Sequence, residues 1–429
     1  MSGVNSLPRF RRIKGTQDIL PVEAGQWQRI EQTIRDTMLI YNYDELRTPV
    51  FEQTELFARS IGQATDIVSK EMYTFLDRGK KSLTLKPEMT APIVRAYLEN
   101  NLMSANPVSK LYYIAPLFRQ ENPQAGRLRQ FNQFGAEALG APAPELDIEV
   151  ILLALEIYQR LQITNLQLVI NTVDNPNARE TYKHILKEYV EPNLHKYCRD
   201  CQKRILTNPL RILDCKVEEC RKLNKNAPRL LDHLSTEGQE HFDRVQSYLS
   251  ANNIDYSINP YMVRGLDYYT HTVFEITSTQ LGSQDAICGG GRYDLLAEQL
   301  GGPPTAAVGF ASGIERLMMV MAAQNLLEPV QKELDIYLCA LGDSASEQIT
   351  IWLQKLRRLG YRTDRDYQNR SIKAQMRDAN RQKARIVLIL GENELIKRQF
   401  SVKLMQTGVQ EYVDFNQLES YIADAIRQN

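Results

Sequence analysis

Two strand-like stretches joined by a polar loop most constrain what this chain can fold into. The stretches are residues 110–118 and 130–138, and each is dominated by aromatic and aliphatic residues, as expected of β-strands. The loop 122–129 is short enough for the second strand to return beside the first. The pattern therefore predicts an antiparallel hairpin.

Charged and polar side chains stand where the first strand of this hairpin ends and within the second strand. Arg119 and Glu121 follow the first strand, and we expect them to face Gln133 and Glu137 on the second. A charge in apolar surroundings costs free energy unless it is paired or bound. The hairpin therefore predicts either a ligand site or a buried salt bridge.

A further strand-like run, 270–276, is preceded by a cation and two adjacent tyrosines in the string RGLDYYTHTVFE. Side chains alternate along a strand, so we expect Tyr268 and Tyr269 on opposite faces, one packed and one offering its hydroxyl to a ligand. The planar, permanently charged guanidinium of Arg264 suits a phosphate oxygen. The alternative is an amphipathic strand with one buried tyrosine and one surface arginine.

The segment 83–91 predicts a strand that breaks at Pro87, followed by a helix that runs to about residue 98. Glu88 and Thr90 stand at this break. A carboxylate and a hydroxyl there could hold an ammonium group. The alternative is a helix cap, which Thr90 alone would supply.

Two glycine-containing stretches follow, and the first predicts close approach of the backbone to a ligand. Residues 286–294 (AICGGGRYD) bring three consecutive glycines to a strand end, where no Cβ intervenes; a tight turn is the alternative. Residues 309–317 (GFASGIERL) pass from a strand of small residues into a helix. Ser312 and Glu315 have the spacing of a capping box, which puts Arg316 in the first turns of that helix, beside the site.

The chain lacks the two common nucleotide-binding motifs. Neither G-x-x-x-x-G-K-[ST] nor G-x-G-x-x-G after a strand is present, which argues against P-loop and Rossmann sites. Arg119, Arg264 and Arg316 instead stand on separate strands and a helix, near the glutamates of the same segments. Such a set suits electrostatic stabilisation of a phosphoryl centre without a protein nucleophile.

The pattern of the chain changes twice. Residues 178–250 have many charges, helical periodicity and little β character, and we interpret them as an inserted helical module. After Pro329 strands and helices alternate, which predicts a small α/β domain with mostly parallel strands. Within it, residues 355–385 carry eleven Lys or Arg against three Asp, although the whole chain has a net charge of zero. This basic patch can neutralise phosphates, or it can be a solvated helix face.

Six cysteines in 429 residues do not indicate a disulfide framework. Cys198, Cys201, Cys215 and Cys220 have nearly the spacing of a zinc ribbon, but their segment lacks the glycine-containing knuckles usual for such ligands. No apolar run approaches the length of a membrane span, and the N-terminal residues have no signal-peptide h-region. We therefore expect a cytoplasmic protein without a membrane partner.

These motifs resemble those of one enzyme family over nearly the whole chain. FRQE at residues 118–121 resembles motif 2 of class II aminoacyl-tRNA synthetases, and GFASGIERL resembles motif 3. RGLDYYTHTVFE and CGGGRYD resemble the signatures of histidyl-tRNA synthetases. GTQD near the start, LKPEMTA and the C-terminal α/β domain follow in the family's order.

The resemblance implies an α+β fold, with a class II antiparallel sheet and flanking helices in a catalytic domain over residues 1–328. A helical insertion at about 178–250 and an anticodon-binding α/β domain over 331–429 complete it. It also implies a homodimer that uses L-histidine, ATP with Mg²⁺, and tRNA(His). Histidine and ATP would give histidyl-adenylate and pyrophosphate, and the histidyl group would then move to the 3′ end of the tRNA.

The resemblance also implies roles for individual residues. Arg119 would hold the α-phosphate of ATP, Glu121 would contact the adenine side, and Arg316 would bind the γ-phosphate. Arg264 would stabilise the pentavalent α-phosphate and the adenylate, so Arg264 and Arg119 are the expected catalytic residues. The expected histidine pocket consists of Glu88, Thr90, Gln133, Glu137, Tyr268 and Tyr269. A pocket that hydrogen-bonds both imidazole nitrogens rejects other amino acids by ~10⁴ or more, so no editing domain is required.

The family's insertion often has serine where this chain has Cys198, Cys201 or Cys215, so the sequence does not favour zinc and no metal ligands are predicted.

Two alternative functions share features with this chain. A catalytically silent, histidine-sensing regulatory subunit of ATP phosphoribosyltransferase would share the fold, but it loses the catalytic arginines and the anticodon-binding domain, which are present here. A pure RNA-binding protein would explain the basic patch, but neither the tyrosine pair nor FRQE.

Overall fold

A computed structural model of the chain describes residues 10–62, 65, 67–124, 126–266, 268–281, 286–328 and 333–428. Asp267 of the RGLDYY string, the first nine residues and residues 329–332 at the expected domain boundary lie outside this description. The chain separates into two compact units, Met1–Pro329 and Val330–Asn429. Among the described residues, no helix has both the length and the apolar character needed to cross a membrane.

The strands are β1 Asp44–Glu45, β2 Phe51–Gln53, β3 Tyr73–Leu76, β4 Ser82–Leu85, β5 Ser109–Phe118, β6 Gln130–Leu139, β7 Leu166–Thr172, β8 Tyr256–Ile258, β9 Thr270–Ser278, β10 Ala286–Arg292, β11 Ala307–Gly313, β12 Ile336–Ala340, β13 Thr363–Arg365, β14 Ile386–Leu390, β15 Gln399–Leu404 and β16 Gln410–Asp414. The α-helices are α1 Pro21–Ile40, α2 Thr54–Ser60, α3 Thr90–Glu99, α4 Pro144–Arg160, α5 Pro176–Val190, α6 Arg199–Thr207, α7 Glu218–Asn224, α8 Thr236–Ala251, α9 Leu296–Gln299, α10 Ile314–Ala323, α11 Asp343–Arg358, α12 Ile372–Arg381, α13 Glu392–Ile396 and α14 Leu418–Gln428.

The predicted hairpin is the centre of the first unit. Strands β5 and β6 pair antiparallel along their whole length, from Ser109 opposite Leu139 to Phe118 opposite Gln130. They belong to a sheet of eight described strands in the order β1-β5-β6-β11-β10-β9-β7-β8. Its pairings are antiparallel except for β1 with β5 and β7 with β8 at the two edges. The expected α+β fold with a large antiparallel sheet is confirmed.

One side of this sheet is covered by helices whose apolar faces form the main core. Trp27, Ile30, Ile34 and Met38 recur at helical spacing along α1, and all four are buried. They join the buried face of α4 and the aromatic side chains that the central strands contribute to the same cluster. A smaller sheet of β2, β4 and β3 lies in the same unit.

The stretch between β7 and β8 is helical. Helices α5, α6, α7 and α8 alternate there with single 3₁₀ turns at Glu191–Lys196, Pro209–Ile212 and Leu230–His233. Most of its buried residues belong to a second core cluster, which also receives β5 and the segment before β9. Phe242, Val245 and Leu249 of α8 join the main core instead. The last helix of the stretch is therefore part of the layer on the large sheet.

The second unit has a five-stranded sheet in the order β13-β12-β14-β15-β16. The first three strands are parallel, as the alternation of strands and helices predicts. The last two strands, which the sequence did not predict, are antiparallel to their neighbours. Strands β15 and β16 are joined directly by a turn at residues 405–409 without an intervening helix, and a direct turn can only join antiparallel strands.

Candidate active site

Two adjoining cavities in the first unit take in every site residue predicted from the sequence. The larger, of about 770 Å³, is lined by Arg119, Glu121, Gln133, Arg264 and Arg316 among others. The smaller, of about 190 Å³, is lined by Glu88, Thr90, Gln133, Glu137, Tyr268 and Tyr269. Arg119, Gln133 and Arg264 line both, so these residues stand where the two cavities meet.

The acidic groups of the small cavity lie where β4 gives way to α3. The Glu88 carboxylate accepts hydrogen bonds from the backbone N–H groups of Thr90 (2.7 Å) and Ala91 (3.0 Å). Glu88 therefore caps α3, and the alternative that Thr90 supplies the cap is wrong. The Thr90 hydroxyl instead donates to Oε1 of Glu137 on β6, at 2.8 Å. This contact joins α3 to the central hairpin.

Burial changes the acidity of both glutamates. Glu137 is 1% exposed, and desolvation raises the pKa of its carboxyl to about 8, although Tyr293 and Thr90 donate hydrogen bonds to it. Desolvation also raises the pKa of Glu88 to about 6, against the lowering effect of the two amide donors. A cation brought into the cavity would stabilise both carboxylates and lower both pKa values. The small cavity is therefore suited to a positively charged ligand.

The tyrosine pair differs from its predicted arrangement. Tyr268 and Tyr269 precede β9, whose first residue is Thr270, so strand alternation does not apply to them. Both are buried, both line the small cavity, and their ring centroids are 4.9 Å apart. The expectation of opposite faces is therefore wrong. Tyr293 packs against Tyr268 edge-on at 5.6 Å and donates to Glu137, which gives the cavity an aromatic wall.

Two glycines leave the space that the polar groups occupy. A Cβ on Gly309 would lie 1.7 Å from Oε2 of Glu137, and a Cβ on Gly289 would lie 2.0 Å from Nη2 of Arg264. Glycine at the two positions therefore lets β11 and β10 pass these side chains where they now lie. The triple glycine lies within β10 and not at a strand end, and its neighbours are the protein's own atoms, so the predicted approach to a ligand stays a prediction.

The arginines are held in position by neighbouring groups. Arg264 forms an ion pair with Glu275 of β9, and its guanidinium lies 5.9 Å from the centre of the Tyr269 ring. Arg119 donates from Nε to the carbonyl oxygen of Pro87 at 3.0 Å and lies over the ring of Phe131 at 5.2 Å. Each guanidinium still lines the cavities, so it can meet an anion there.

Arg316 lies in the first turn of α10, as predicted, but not because of a capping box. The N-cap of α10 is Gly313. Ser312 is still in β11, where its hydroxyl donates to the carbonyl oxygen of Ile287 at 2.9 Å. Both Glu315 oxygens accept from the backbone N–H of Asn132, at 2.9 and 3.0 Å. The predicted capping box is therefore wrong, and Glu315 joins α10 to β6.

The loop of the hairpin supplies the remaining edge of the large cavity. Arg127 donates to the Glu121 carboxylate at 3.3 Å, and Arg129 donates to the Glu121 carbonyl oxygen at the same distance. Glu121 is thus held by the basic loop that follows it. Gln133 lies on β6, directly opposite Ala115 on β5 and Gly313 on β11.

A buried ion pair holds the end of β10, directly before Tyr293. Arg292 is 0% exposed, pairs with the fully buried Asp147 of α4, and donates to the carbonyl oxygens of Ala141 and Ala143 at 3.1 Å each. Oδ2 of the same aspartate lies 2.7 Å from Nε2 of His241. These contacts fix the end of β10 against α4, next to the small cavity.

Sequence reasoning missed two tyrosines of the small cavity. Tyr113 lies on β5, and its hydroxyl is buried without a hydrogen-bond partner among the described residues. No sequence signal distinguishes Tyr113 from the packed aromatic residues of the same strand. Tyr293 stands within the quoted string CGGGRYD, so its adjacency to the glycines was a usable signal.

The basic patch of the second unit is partly neutralised. Arg370 and Arg381 both pair with Asp378, at 2.8 and 3.0 Å, and Arg365 is buried with its guanidinium on the carbonyl oxygen of Ser346 at 2.9 Å. Lys373 and Arg377 on α12 have exposed side chains. Part of the predicted patch is therefore structural, and part is available to solvent.

Comparison with known proteins gives concordant results. The family described as histidyl-tRNA synthetase matches residues 15–317, and an anticodon binding domain matches residues 335–425. The histidine–tRNA ligase of Bacillus subtilis (strain 168) is 49% identical over 401 residues, 92% of this chain and 94% of the relative. The histidine–tRNA ligase of Geobacillus sp. (strain WCH70) is 45% identical over 97% of this chain and 99% of the relative. The crystal structure of apo S. aureus histidyl-tRNA synthetase superposes with a TM-score of 0.82 at 39% identity, covering 96% of this chain and 100% of that one.

Proposed function

Because the chain belongs to the histidyl-tRNA synthetase family, we propose that its two adjoining cavities divide the substrates of that reaction between them. The enzyme is an aminoacyl-tRNA synthetase that joins histidine to its tRNA, and full-length ligase relatives favour this activity over the regulatory-subunit alternative. The proposal concerns which residues carry each step.

The small cavity is proposed to bind histidine. The α-ammonium group of histidine would meet the carboxylate of Glu88 and the hydroxyl of Thr90. A cation there would replace the proton that burial favours on the buried glutamates. Glu137 and Gln133, with the tyrosine pair, would surround the imidazole. The carboxylate of the substrate would then point toward Arg119 and Arg264, where the cavities meet.

The large cavity is proposed to bind ATP. Arg119 would hold the α-phosphate, Glu121 would contact the adenine side, and Arg316 would meet the γ-phosphate. A histidine carboxylate oxygen attacks the α-phosphorus, the bond to the β-phosphate oxygen breaks, and pyrophosphate leaves. Arg264 would stabilise the charge that grows on the α-phosphate oxygens, as preorganised donors do in phosphoryl transfer.

One observation carries this assignment. Six arginines line the large cavity, among them Arg119, Arg264 and Arg316 from three distant segments of the chain. Arg119 and Arg264 also line the smaller pocket of buried acids and tyrosines. A solvated surface or a buried salt bridge needs no such convergence. An α-amino acid and ATP together present an ammonium group and phosphate anions. The ammonium group matches the acids of the small cavity, and the phosphates match the arginines of the large one.

Magnesium is proposed to accompany ATP. It prefers carboxylate, phosphate and water oxygens. The carboxylate of Glu315 lines the large cavity and offers oxygen ligands of this kind. When bound, the ion would neutralise part of the triphosphate charge.

The second half-reaction is proposed to use the same junction. A hydroxyl of the terminal ribose of tRNA(His) attacks the histidyl carbonyl, and AMP leaves. We propose residues 1–328 as the catalytic domain, with the helical insertion at about 178–250, and residues 331–429 as the anticodon-binding domain. The exposed residues of the basic patch, such as Lys373 and Arg377, would contact tRNA phosphates.

We further propose a homodimer located in the cytoplasm, where its tRNA substrate is used. The small β2-β4-β3 sheet exposes a group of apolar side chains that a subunit interface would cover. These include Phe51, Phe75 and Leu76, and the rings of the two phenylalanines are in contact at 6.5 Å. Light scattering of the purified protein would give the mass of the assembly.

The test is ATP–pyrophosphate exchange without tRNA, run with each of the twenty amino acids and then with Arg264→Ala. We expect exchange with histidine alone, and a loss of ~10²-fold or more in the variant, because Arg264 acts on the transition state. Arg229→Ala is the matched control, since this exposed arginine pairs with the nearby Asp232 and lines neither cavity. Circular dichroism checks that each variant is folded. A loss below tenfold in folded Arg264→Ala would contradict the role assigned to it.

A further inference from the structure

Four of the six cysteines come together in the helical stretch between β7 and β8. Cys198, Cys201, Cys215 and Cys220 place their sulfur atoms within 4.8 Å of one another. The Sγ atoms of Cys198 and Cys215 are 3.8 Å apart. Three of the four side chains are buried, and Cys198 is half-buried.

We propose that these four cysteines bind one zinc ion, as thiolates. A tetrahedral zinc site with Zn–S bonds of about 2.3 Å has sulfur atoms about 3.8 Å apart along each edge. The separation of Cys198 and Cys215 equals that edge, and the other separations need only small side-chain adjustments to reach it. Sulfur-only donors in a closed, mostly buried set suit zinc in a structural role better than hard cations, which prefer oxygen.

The backbone holds the sulfurs without the glycine knuckles whose absence argued against zinc in the sequence. Cys198 is the N-cap of α6 and Cys201 lies in the first turn of this helix. Cys220 lies in the first turn of α7. The backbone N–H of Cys198 donates to Sγ of Cys220 at 3.3 Å. Amide donors to sulfur are the outer contacts that support thiolate ligands, and here the start of α6 supplies one.

The local fold explains what such an ion would contribute. Between residues 191 and 233 the chain has only short elements, α6 of nine residues, α7 of seven and three 3₁₀ turns. Helices of this length are marginal by themselves in water. The cysteines lie within the core cluster of this segment, so one ion would tie the starts of α6 and α7 together at its centre.

The site also bears on the active-site cleft. Cys198 and Cys215 line the large cavity, together with Asp200 and Asp214 beside them. Zinc would therefore fix the wall that the helical segment contributes to the cavity. This inference does not depend on the roles proposed for the arginines or for the histidine pocket, and its test needs no enzyme assay.

The first experiment measures zinc in the full-length protein after purification without chelators. We expect about one zinc per chain by mass spectrometry of the metal, as for a closed four-cysteine site. The double variant Cys198→Ser/Cys220→Ser should lose it. The matched control is Cys339→Ala, which removes a buried cysteine of the second unit and should keep the metal. Equal zinc in the double variant and in the control would overturn the proposal.

A second measurement covers the case in which the double variant does not fold. Zinc is removed from the wild-type protein under reducing conditions, and Co²⁺ is added. We expect the absorption spectrum of tetrahedral Co²⁺ bound to four thiolates, and we expect one equivalent of zinc to displace the cobalt and abolish this spectrum. Thiols are also counted in denatured, unreduced protein. Six free thiols, together with no zinc and no cobalt spectrum, would overturn the proposal. Disulfides among the four cysteines in place of metal would also overturn it.

Discussion

Replacing Glu137 by glutamine tests the electrostatics of the small cavity directly. The raised pKa, about 8 in the folded protein, is a statement about stability, because the unfolded carboxyl titrates near 4.5. A group whose pKa is raised by folding contributes its full stability below the unfolded value, and this is lost as pH rises toward the folded value. The unliganded protein should therefore lose stability between about pH 4.5 and pH 8 because of this one residue.

The magnitude follows from the two pKa values. Between pH 5 and pH 7 the unfolded carboxyl gives up its proton while most of the folded population keeps it. Linkage over this interval corresponds to about 2 to 3 kcal/mol of lost unfolding free energy. Glutamine cannot titrate, and its side-chain oxygen can still accept from Thr90. The free energy of unfolding of Glu137→Gln should therefore rise by about 2 to 3 kcal/mol relative to that of wild type as pH rises from 5 to 7.

The assay is urea unfolding at several pH values, followed in the first unit alone. The chain has two tryptophans, and Trp27 is buried in the first unit while Trp352 is buried in the second. A Trp352→Phe background leaves Trp27 as the only tryptophan reporter. The difference between the variant and its parent cancels every group that titrates equally in both proteins.

Exposed Glu298→Gln is the control, and its difference from wild type should not change with pH. Saturating histidine should reverse the effect in the parent, because a bound cation favours the charged carboxylate. The variant should bind histidine poorly, since it has lost that charge. A difference between Glu137→Gln and parent that is the same at pH 5 and pH 7 would refute the reasoning.

Two other perturbations test packing and the basic patch. Gly309→Ala should raise the KM for histidine about tenfold or more and lower Tm, because the new Cβ would collide with Glu137. The control Gly79→Ala lies in an exposed turn outside both cavities, and it should leave the KM for histidine unchanged. Arg377→Glu should weaken tRNA binding and reduce the slope of log K against log salt by about 0.7 to 0.9 if it contacts one phosphate, with exposed Lys397→Glu as control. Equal tRNA kinetics in those two charge reversals would exclude Arg377 from the tRNA surface.

Local pattern was enough to predict the elements that carry the site. The hairpin of β5 and β6, strand β9, and the passage from β11 into α10 follow from short-range periodicity, and the structure confirms each. The predicted site residues converge on two cavities because those elements are neighbours in one sheet. Strand order was not available from periodicity, and the structure supplies it.

The misses have a common physical cause in contacts between distant segments. Tyr268 and Tyr269 come together because the chain before β9 is not yet a strand, and no local signal marks where pairing with β7 begins. The partnerless hydroxyl of Tyr113 was invisible because its strand reads as an ordinary apolar run. The approach of four sulfurs depends on how α6 and α7 pack, which cysteine spacing alone leaves open.

The two capping errors lead to a more general point about this site. Thr90 and the pair Ser312 and Glu315 all have the local chemistry of helix caps, yet none of them caps its helix. Thr90 donates to Glu137 instead, and Glu315 accepts from Asn132, so each contact joins a helix to the central hairpin at the edge of a cavity. Good capping residues are worth about 1 kcal/mol, and tertiary contacts of the site override that preference. The same reasoning explains why a carboxylate as costly to bury as Glu137 is present, since its stabilising partner is expected to be the ligand.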